Sequence, residues 1–136
     1  MKKIRNIVSV LTVAGVVTLS SVMALAASWA GSYEGHEYVK SLSSTRISSD
    51  TPTYQGEAQT RWGGGGKVYA YVEGVNSTGG RISGSNIEAY GSDGFASVKS
   101  NYITLSSLAY WNSSHKILDS NNKVKSGSEL WYQIKK

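Results

Sequence analysis

Residues 57–74 read E-A-Q-T-R-W-G-G-G-G-K-V-Y-A-Y-V-E-G. Polar side chains alternate with small or apolar ones before the four glycines, and after them Val68, Ala70 and Val72 share one face. A period of two residues is that of a β-strand. Both faces of the second segment are apolar or aromatic, which favours a strand in the middle of a sheet. The stretch therefore predicts two strands joined into a hairpin by Gly63–Gly66.

The rest of the chain continues this pattern of short strands and polar turns. We predict a second hairpin from Asn86–Tyr90 and Phe95–Ser100, and a third from Lys116–Leu118 and Lys123–Lys125. The last segment, Glu129–Lys135, alternates strictly. After residue 26, no window keeps a helical period. The pattern predicts an all-β fold, a single antiparallel β-sandwich or barrel-like domain of about eight short strands.

The N-terminus has the three parts of a secretory signal peptide. Three basic residues lie within the first five, and an apolar run over residues 7–25 follows. The run ends in small side chains, where a peptidase can approach the backbone. We therefore expect a signal peptide cleaved after Ala26 or Ala27, and we take residues 1–26 as its extent. The alternative is a retained membrane anchor, which the serines and threonines within the run disfavour.

Cleavage would leave residues 27–136 as one secreted domain. Eleven basic and nine acidic residues would remain, a net charge of +2. The chain has no cysteine, which excludes disulfides, thiolate metal sites and the lipid attachment of a lipoprotein. This composition suggests an extracellular, bacterial protein. We expect residues 27–37 to form a partly ordered arm, anchored by Trp29 and Tyr33.

Residues suited to catalysis are sparse. His36 and His115 are the only histidines, and neither belongs to a metal-binding or catalytic motif. Glu57, Glu73 and Glu88 would supply the carboxylate pair of a glycosidase, but outward strand positions hold glutamates routinely. A domain of this size also leaves little room for a deep cleft. The sequence therefore favours a protein that is not an enzyme.

The sequence also indicates neither a metal nor a nucleotide cofactor. The glycine run lacks the spacing of a phosphate-binding loop, and no Ser or Thr follows Lys67. The turns at Asp93 and Asp119 contain one carboxylate each, whereas calcium sites need several. We therefore predict no cofactor and no bound metal.

Aromatic residues are in excess, with four Trp, nine Tyr and one Phe. A sandwich buries one face of each strand, so some rings should be exposed and available for stacking. We predict Trp62, Tyr69, Tyr71 and Trp131 as binding residues of a module for a glycan, a cell-wall polymer or a partner protein. Nucleic acid binding and stable membrane insertion after cleavage are not expected. The alternatives are an antimicrobial, bacteriocin-type protein and a structural protein that assembles through its β-edges.

Overall fold

The computed structural model describes residues 15–16, 22–47, 52–104 and 106–136, and within these ranges it contains strands and no helix. None of the described segments is therefore a helix that could cross a membrane. The strands are β1 (Gly15–Val16), β2 (Val22–Tyr33), β3 (His36–Ile47), β4 (Thr53–Trp62), β5 (Lys67–Val75), β6 (Ile87–Gly91), β7 (Phe95–Lys99), β8 (Tyr110–Leu118) and β9 (Leu130–Lys135).

These strands form two antiparallel sheets. Sheet A has the order β1-β2-β3-β4-β7, and sheet B has the order β6-β5-β8-β9. Apart from the two-residue β1, each sheet has four strands, so the prediction of an all-β sandwich of about eight strands is confirmed. The sheets pack face to face over a shared apolar core.

The alternation read from residues 57–74 matches the burial of side chains. Ala58 and Thr60 of β4 and Val68, Ala70 and Val72 of β5 have no exposed surface. The inner faces of these two strands therefore meet across the core, as the period of two predicts.

The largest core side chain, that of Trp111, depends on a neighbouring glycine. Trp111 is fully buried, and its Nε1 donates a hydrogen bond of 3.0 Å to Ser44 Oγ in the opposite sheet. A Cβ atom added to Gly56 would lie 2.4 Å from the indole ring. Glycine at this position therefore makes room for the ring.

Two of the predicted hairpins are wrong in their pairing. β4 and β5 are joined by the glycine loop but belong to different sheets, and so do β6 and β7. In each case the loop crosses from one sheet to the other. The two loops bond to each other instead, since Gly94 N donates to Gly66 O and Trp62 N donates to Gly94 O, both at 2.8 Å. The third predicted hairpin is present as a tight turn with one bridge, Leu118 to Val124.

The expected N-terminal arm is part of sheet A. Ala27–Tyr33 belongs to β2, which pairs with β3 through a turn at Glu34 and Gly35. These two residues have φ values of 49° and 76°, the conformation of a tight hairpin turn that suits the twist of paired strands. Residues 1–14 and 17–21 of the predicted signal peptide lie outside the described residues. β2 runs through the predicted cleavage site.

Sheet B consists of two hairpins with the same backbone design. Residues 67–91 form β5, a loop and β6, and residues 110–134 repeat this arrangement at a constant offset of 43 positions. The bridge between Val75 and Arg81 recurs between Leu118 and Val124. An approximate twofold axis thus passes between β5 and β8.

A buried serine stabilises each of the two loops. Ser85 Oγ accepts a hydrogen bond from Gly74 N, and Ser128 Oγ accepts one from Ile117 N, at 2.9 and 3.1 Å. Each hydroxyl lies within 3.1 Å of two backbone carbonyl oxygens, to which it can donate. Both serines are fully buried. The two serines therefore form hydrogen bonds with backbone N–H and C=O groups that the pairing between strands leaves without a partner.

Candidate functional site

Four aromatic side chains share the outer face of sheet B, which we call the aromatic face. Tyr69 and Tyr71 lie on β5, Tyr90 on the edge strand β6, and Trp131 on the edge strand β9. Tyr69 pairs with Tyr90, while Ser114 of β8 lies between Tyr71 and Trp131 in register. The structure therefore brings three of the four predicted binding residues together and adds Tyr90 to them.

The rings meet edge to face in two pairs. The ring centroids of Tyr71 and Trp131 are 6.0 Å apart, and those of Tyr69 and Tyr90 are 5.1 Å apart. The small side chain of Ser114 lets the first pair approach above it. Tyr90 is 64% exposed whereas Tyr69 is 7% exposed. Tyr69 therefore supports Tyr90, which presents its ring to solvent.

Hydrogen bonds hold the two tyrosines of β5. Tyr69 Oη donates to Glu88 Oε2 at 2.8 Å, and Tyr71 Oη donates to Glu73 Oε2 at 2.7 Å. Burial, followed by these hydrogen bonds to carboxylates, raises the pKa of both tyrosines. Both hydroxyls therefore remain protonated donors at neutral pH, and both rings keep a defined orientation.

Glu73 is the centre of a polar network at one side of the aromatic face. Its carboxylate accepts from Arg81 Nε at 2.8 Å and from Asn112 Nδ2 at 3.2 Å, and Gln133 Nε2 donates to Asn112 Oδ1 at 2.7 Å. Burial acts to raise the pKa of Glu73, but the hydrogen bonds from Tyr71, Arg81 and Asn112 outweigh burial and lower the pKa. The carboxylate is therefore ionised and fully engaged.

Cations and carboxylates are balanced on the aromatic face. Lys116 Nζ lies 4.6 Å from the centroid of the Tyr69 ring and 3.8 Å from Glu129 Oε1, which also accepts from Trp131 Nε1. The carboxylate of Glu73 is in an ion pair with Arg81. Glu88 has no cationic partner within the described ranges, but Lys135, on the same face of β9 as Trp131, offsets its charge. This face therefore has no excess of negative charge.

A groove lies at the end of the sandwich where the glycine loop crosses between the sheets, and we call it the end groove. It has two adjoining depressions, of about 500 and 530 Å³. The first is lined by Lys67, Tyr90, Gly91, Ser92 and Asn122, and the second by Trp62, Gly64, Gly66, Lys67, Ser92, Leu118, Asp119, Ser120 and Lys125. Tyr90 belongs to both the aromatic face and the end groove, so the two surfaces are continuous.

Trp62, the fourth predicted binding residue, lies apart from the aromatic face. It is 7% exposed, and its Nε1 donates a hydrogen bond of 3.1 Å to Tyr33 O. A Cβ atom on Gly64 would lie 2.3 Å from the indole ring, so the glycine loop packs directly on it. Lys125 Nζ lies 5.0 Å from the ring centroid. Trp62 therefore supports the wall of the end groove.

Of the carboxylates considered for catalysis, Glu57 lies apart from the other two. Glu57 is on the outer face of sheet A, where its Oε2 lies 3.6 Å from Lys99 Nζ, while Glu73 and Glu88 are on the outer face of sheet B. His115 is fully buried in the core. The structure thus separates Glu57 from the other two carboxylates by the thickness of the sandwich.

The described residues contain no group of three or more His, Cys, Asp or Glu side chains that could hold a metal ion. Asp119, one of the two turn residues considered for calcium, has a structural role. Its Oδ1 accepts hydrogen bonds from the backbone N–H groups of Asn121 and Lys123, at 2.8 and 2.9 Å. This is the ordinary behaviour of aspartate in a tight turn.

Tyr90 is the site residue that the sequence reasoning missed. Its segment was predicted as a strand, but an exposed tyrosine at a strand end is indistinguishable in sequence from one that covers its own sheet. The only signal was its position beside the G-S-D-G turn, which places it at a sheet end.

A comparison with protein-family models, with curated proteins and with solved structures finds no match to this chain. Fold and site therefore define its class: an antiparallel β-sandwich with an aromatic outer face that continues into an end groove.

Proposed function

We propose that this protein is a secreted, non-enzymatic binding module that holds a glycan on its aromatic face. One observation supports this most directly: the exposed ring of Tyr90 and the fixed pair of Tyr71 and Trp131 lie on a single sheet face, bordered by amides and carboxylates. Sugar rings combine apolar C–H faces with hydroxyl groups. They therefore suit a surface that alternates aromatic rings with hydrogen-bonding groups.

Preorganisation favours binding at this face. The hydroxyls of Tyr69 and Tyr71 and the indole N–H of Trp131 each donate to a neighbouring carboxylate. Side chains that are already ordered lose less conformational entropy when a ligand binds. A shallow face with few contacts per sugar can thus reach useful affinity along a polymer, since several sugars bind at once.

The charge distribution favours a largely neutral polymer as the ligand. The ion pairs of Glu73 with Arg81 and of Glu129 with Lys116 leave few free charges, and those of Glu88 and Lys135 are opposite in sign. A face with balanced charges offers little electrostatic attraction to a strongly charged polymer. Neutral polysaccharides of a cell wall or extracellular matrix have the matching chemistry.

Co-sedimentation of the purified protein with insoluble neutral polysaccharides and with cell walls tests the proposal. We expect binding that persists in high salt, and about a tenfold loss of affinity for Tyr90→Ala or Trp131→Ala, because removing one stacked ring costs roughly 1 kcal/mol or slightly more. Phe95→Ala and Tyr102→Ala are matched controls. These rings are 51% and 54% exposed, but they lie outside the aromatic face.

The proposal would be overturned if the control variants lost as much affinity as Tyr90→Ala and Trp131→Ala. It would also be overturned if the protein bound to no polysaccharide. Leakage of vesicles or killing of bacteria without glycan binding would instead support the antimicrobial alternative. Concentration-dependent light scattering without glycan binding would support assembly through β-edges.

A further inference from the structure

The depression beside Tyr90 is lined by one cation and by no carboxylate. Lys67 Nζ donates to Asn122 Oδ1 at 2.9 Å and to Ser120 O at 3.3 Å. Both acceptors are neutral, and an ammonium group has three N–H donors. Within the described part of the chain, no carboxylate lies within 4.0 Å of this nitrogen. Lys67 is therefore a fixed positive charge with donor capacity left over.

The second depression of the end groove has a different charge balance. Lys125 Nζ is paired with Glu34 Oε2 at 2.8 Å. Hydrogen bonds from the backbone N–H groups of Lys123 and Asn121 lower the pKa of Asp119, so this wall carries an ionised carboxylate. Lys67 lines both depressions, so the uncompensated positive charge of the groove lies where they meet, and of the two depressions only the first is also lined by Tyr90.

We infer that the first depression of the end groove binds a sugar that carries a carboxylate or a phosphate. The sugar ring stacks on Tyr90, its anionic group accepts hydrogen bonds from Lys67 Nζ, and its hydroxyls bond to Ser92 and to the amide of Asn122. A volume of about 500 Å³ is within the range of small-ligand sites and holds such a residue. This inference rests on the proposed function, because it assigns a specific subsite to the same glycan.

The placement of charge also defines the kind of glycan. The charges of the aromatic face are balanced, whereas Lys67 gives the adjoining depression an excess of positive charge. A polymer with a charge on every sugar would find a counter-charge only at Lys67. The arrangement suits a glycan with a neutral main chain and one anionic sugar, at its end or on a branch, with Tyr90 at the junction.

Nuclear magnetic resonance titrations of the ¹⁵N-labelled protein test this subsite. The probes are glucuronate, glucose 6-phosphate and neutral glucose, each added at low ionic strength. We expect either anionic sugar to shift the amide signals of Gly91, Ser92 and Asn122 and to bind at least about threefold more tightly than glucose, as a single exposed charge contact allows. Glucuronate and glucose 6-phosphate distinguish a carboxylate from a phosphate ligand. Lys67→Gln should abolish the difference, while Lys123→Gln, at an exposed lysine of the neighbouring turn, should keep it.

Equal affinity for glucose and both anionic sugars, or an anion preference that survives Lys67→Gln, would overturn the inference. The indole Nε1–H signal of Trp131 reports separately on the aromatic face. If a neutral oligosaccharide shifts that signal while no anionic sugar shifts the groove amides, the proposed function stands and the subsite is wrong. If neither region responds, both fail.

Discussion

Thr60 Oγ1 lies 2.8 Å from His115 Nδ1, and this hydrogen bond joins the central strands of the two sheets within the core. The hydroxyl of Thr60 donates its one proton to Tyr69 O at 2.7 Å. The Nδ1 atom of His115 must therefore carry the imidazole proton and donate it, and Nε2 accepts from Ser113 Oγ at 2.8 Å. The ring is fully satisfied in its neutral form.

Acid should destabilise the protein through His115. Burial, reinforced by the nearby charge of Lys40, lowers the pKa of His115 from 6.5 to about 3. The unfolded chain binds a proton below pH 6.5 while the folded protein does not, so stability is lost as the pH falls from 6.5 towards 3. We expect a loss approaching 1.4 kcal/mol per pH unit. Urea denaturation between pH 6.5 and 4.5 measures this loss of stability. That window lies above the usual pKa values of carboxylates.

His115→Gln provides the comparison for this prediction. The variant should have a lower free energy of unfolding at pH 7 but a flatter pH dependence in the same window. His36→Gln, at an exposed histidine, should keep the dependence of the parent protein. An unchanged slope in His115→Gln would contradict the prediction.

Replacing the buried Lys40 should stabilise the protein. Lys40 is 4% exposed; its Nζ donates to Tyr38 O at 3.0 Å, and no carboxylate of the described residues is within ion-pair distance. Burial lowers its pKa from 10.5. We expect Lys40→Met to raise the free energy of unfolding at pH 7 by about 1–3 kcal/mol, since an unpaired buried charge is removed.

The pH dependence supports the same interpretation of Lys40. The folded protein releases this proton at a lower pH than the unfolded chain, so the destabilising contribution of Lys40 decreases as the pH approaches 10.5 from below. The advantage of Lys40→Met should shrink over that range. Chemical denaturation at several pH values measures this, with the exposed Lys123→Met as control. A less stable Lys40→Met variant at pH 7 would show that the cation is needed.

The two loops of sheet B allow a test in duplicate. Ser85→Ala and Ser128→Ala should each lower the free energy of unfolding by about 1–3 kcal/mol, because each leaves a buried backbone N–H without its acceptor. Ser83→Ala and Ser126→Ala, two positions earlier in the same S-G-S sequences, remove exposed hydroxyls and should change stability little. Thermal melts of the four variants test this prediction. A similar loss of stability at all four positions would contradict it.

The sequence predicts strand positions well because alternation is a local property. Burial in β4 alternates with the period of two, and β5 is buried on both faces, as its two apolar faces predict. The turn at Asp119 occurs where its composition predicts. Pairing is a different matter. A short glycine loop serves equally for a hairpin and for a crossing between sheets, and the choice depends on partners distant in sequence, such as Gly94 for Trp62.

The candidate site was predictable only in part, because alternation is local whereas strand order is not. Tyr69 and Tyr71 belong to one strand, so their shared face follows from the alternation alone. Their proximity to Trp131 and Tyr90 depends on strand order, which no local pattern encodes. Trp62 satisfied the same local criteria, but it points to the inner side of its strand, beneath the glycine loop.

The offset of 43 positions gives sheet B the form of a homodimer joined into one chain. Each half contributes one edge strand and one central strand, and the central strands meet across a twofold axis, as identical subunits do in an isologous interface. A dimer of two identical copies would have the same side chains at both ends of the sheet. In this chain the counterpart of Asn122 is Gly79, and that of Lys67 is Tyr110. The two ends of sheet B therefore share one backbone design but differ in chemistry, which identical copies cannot do.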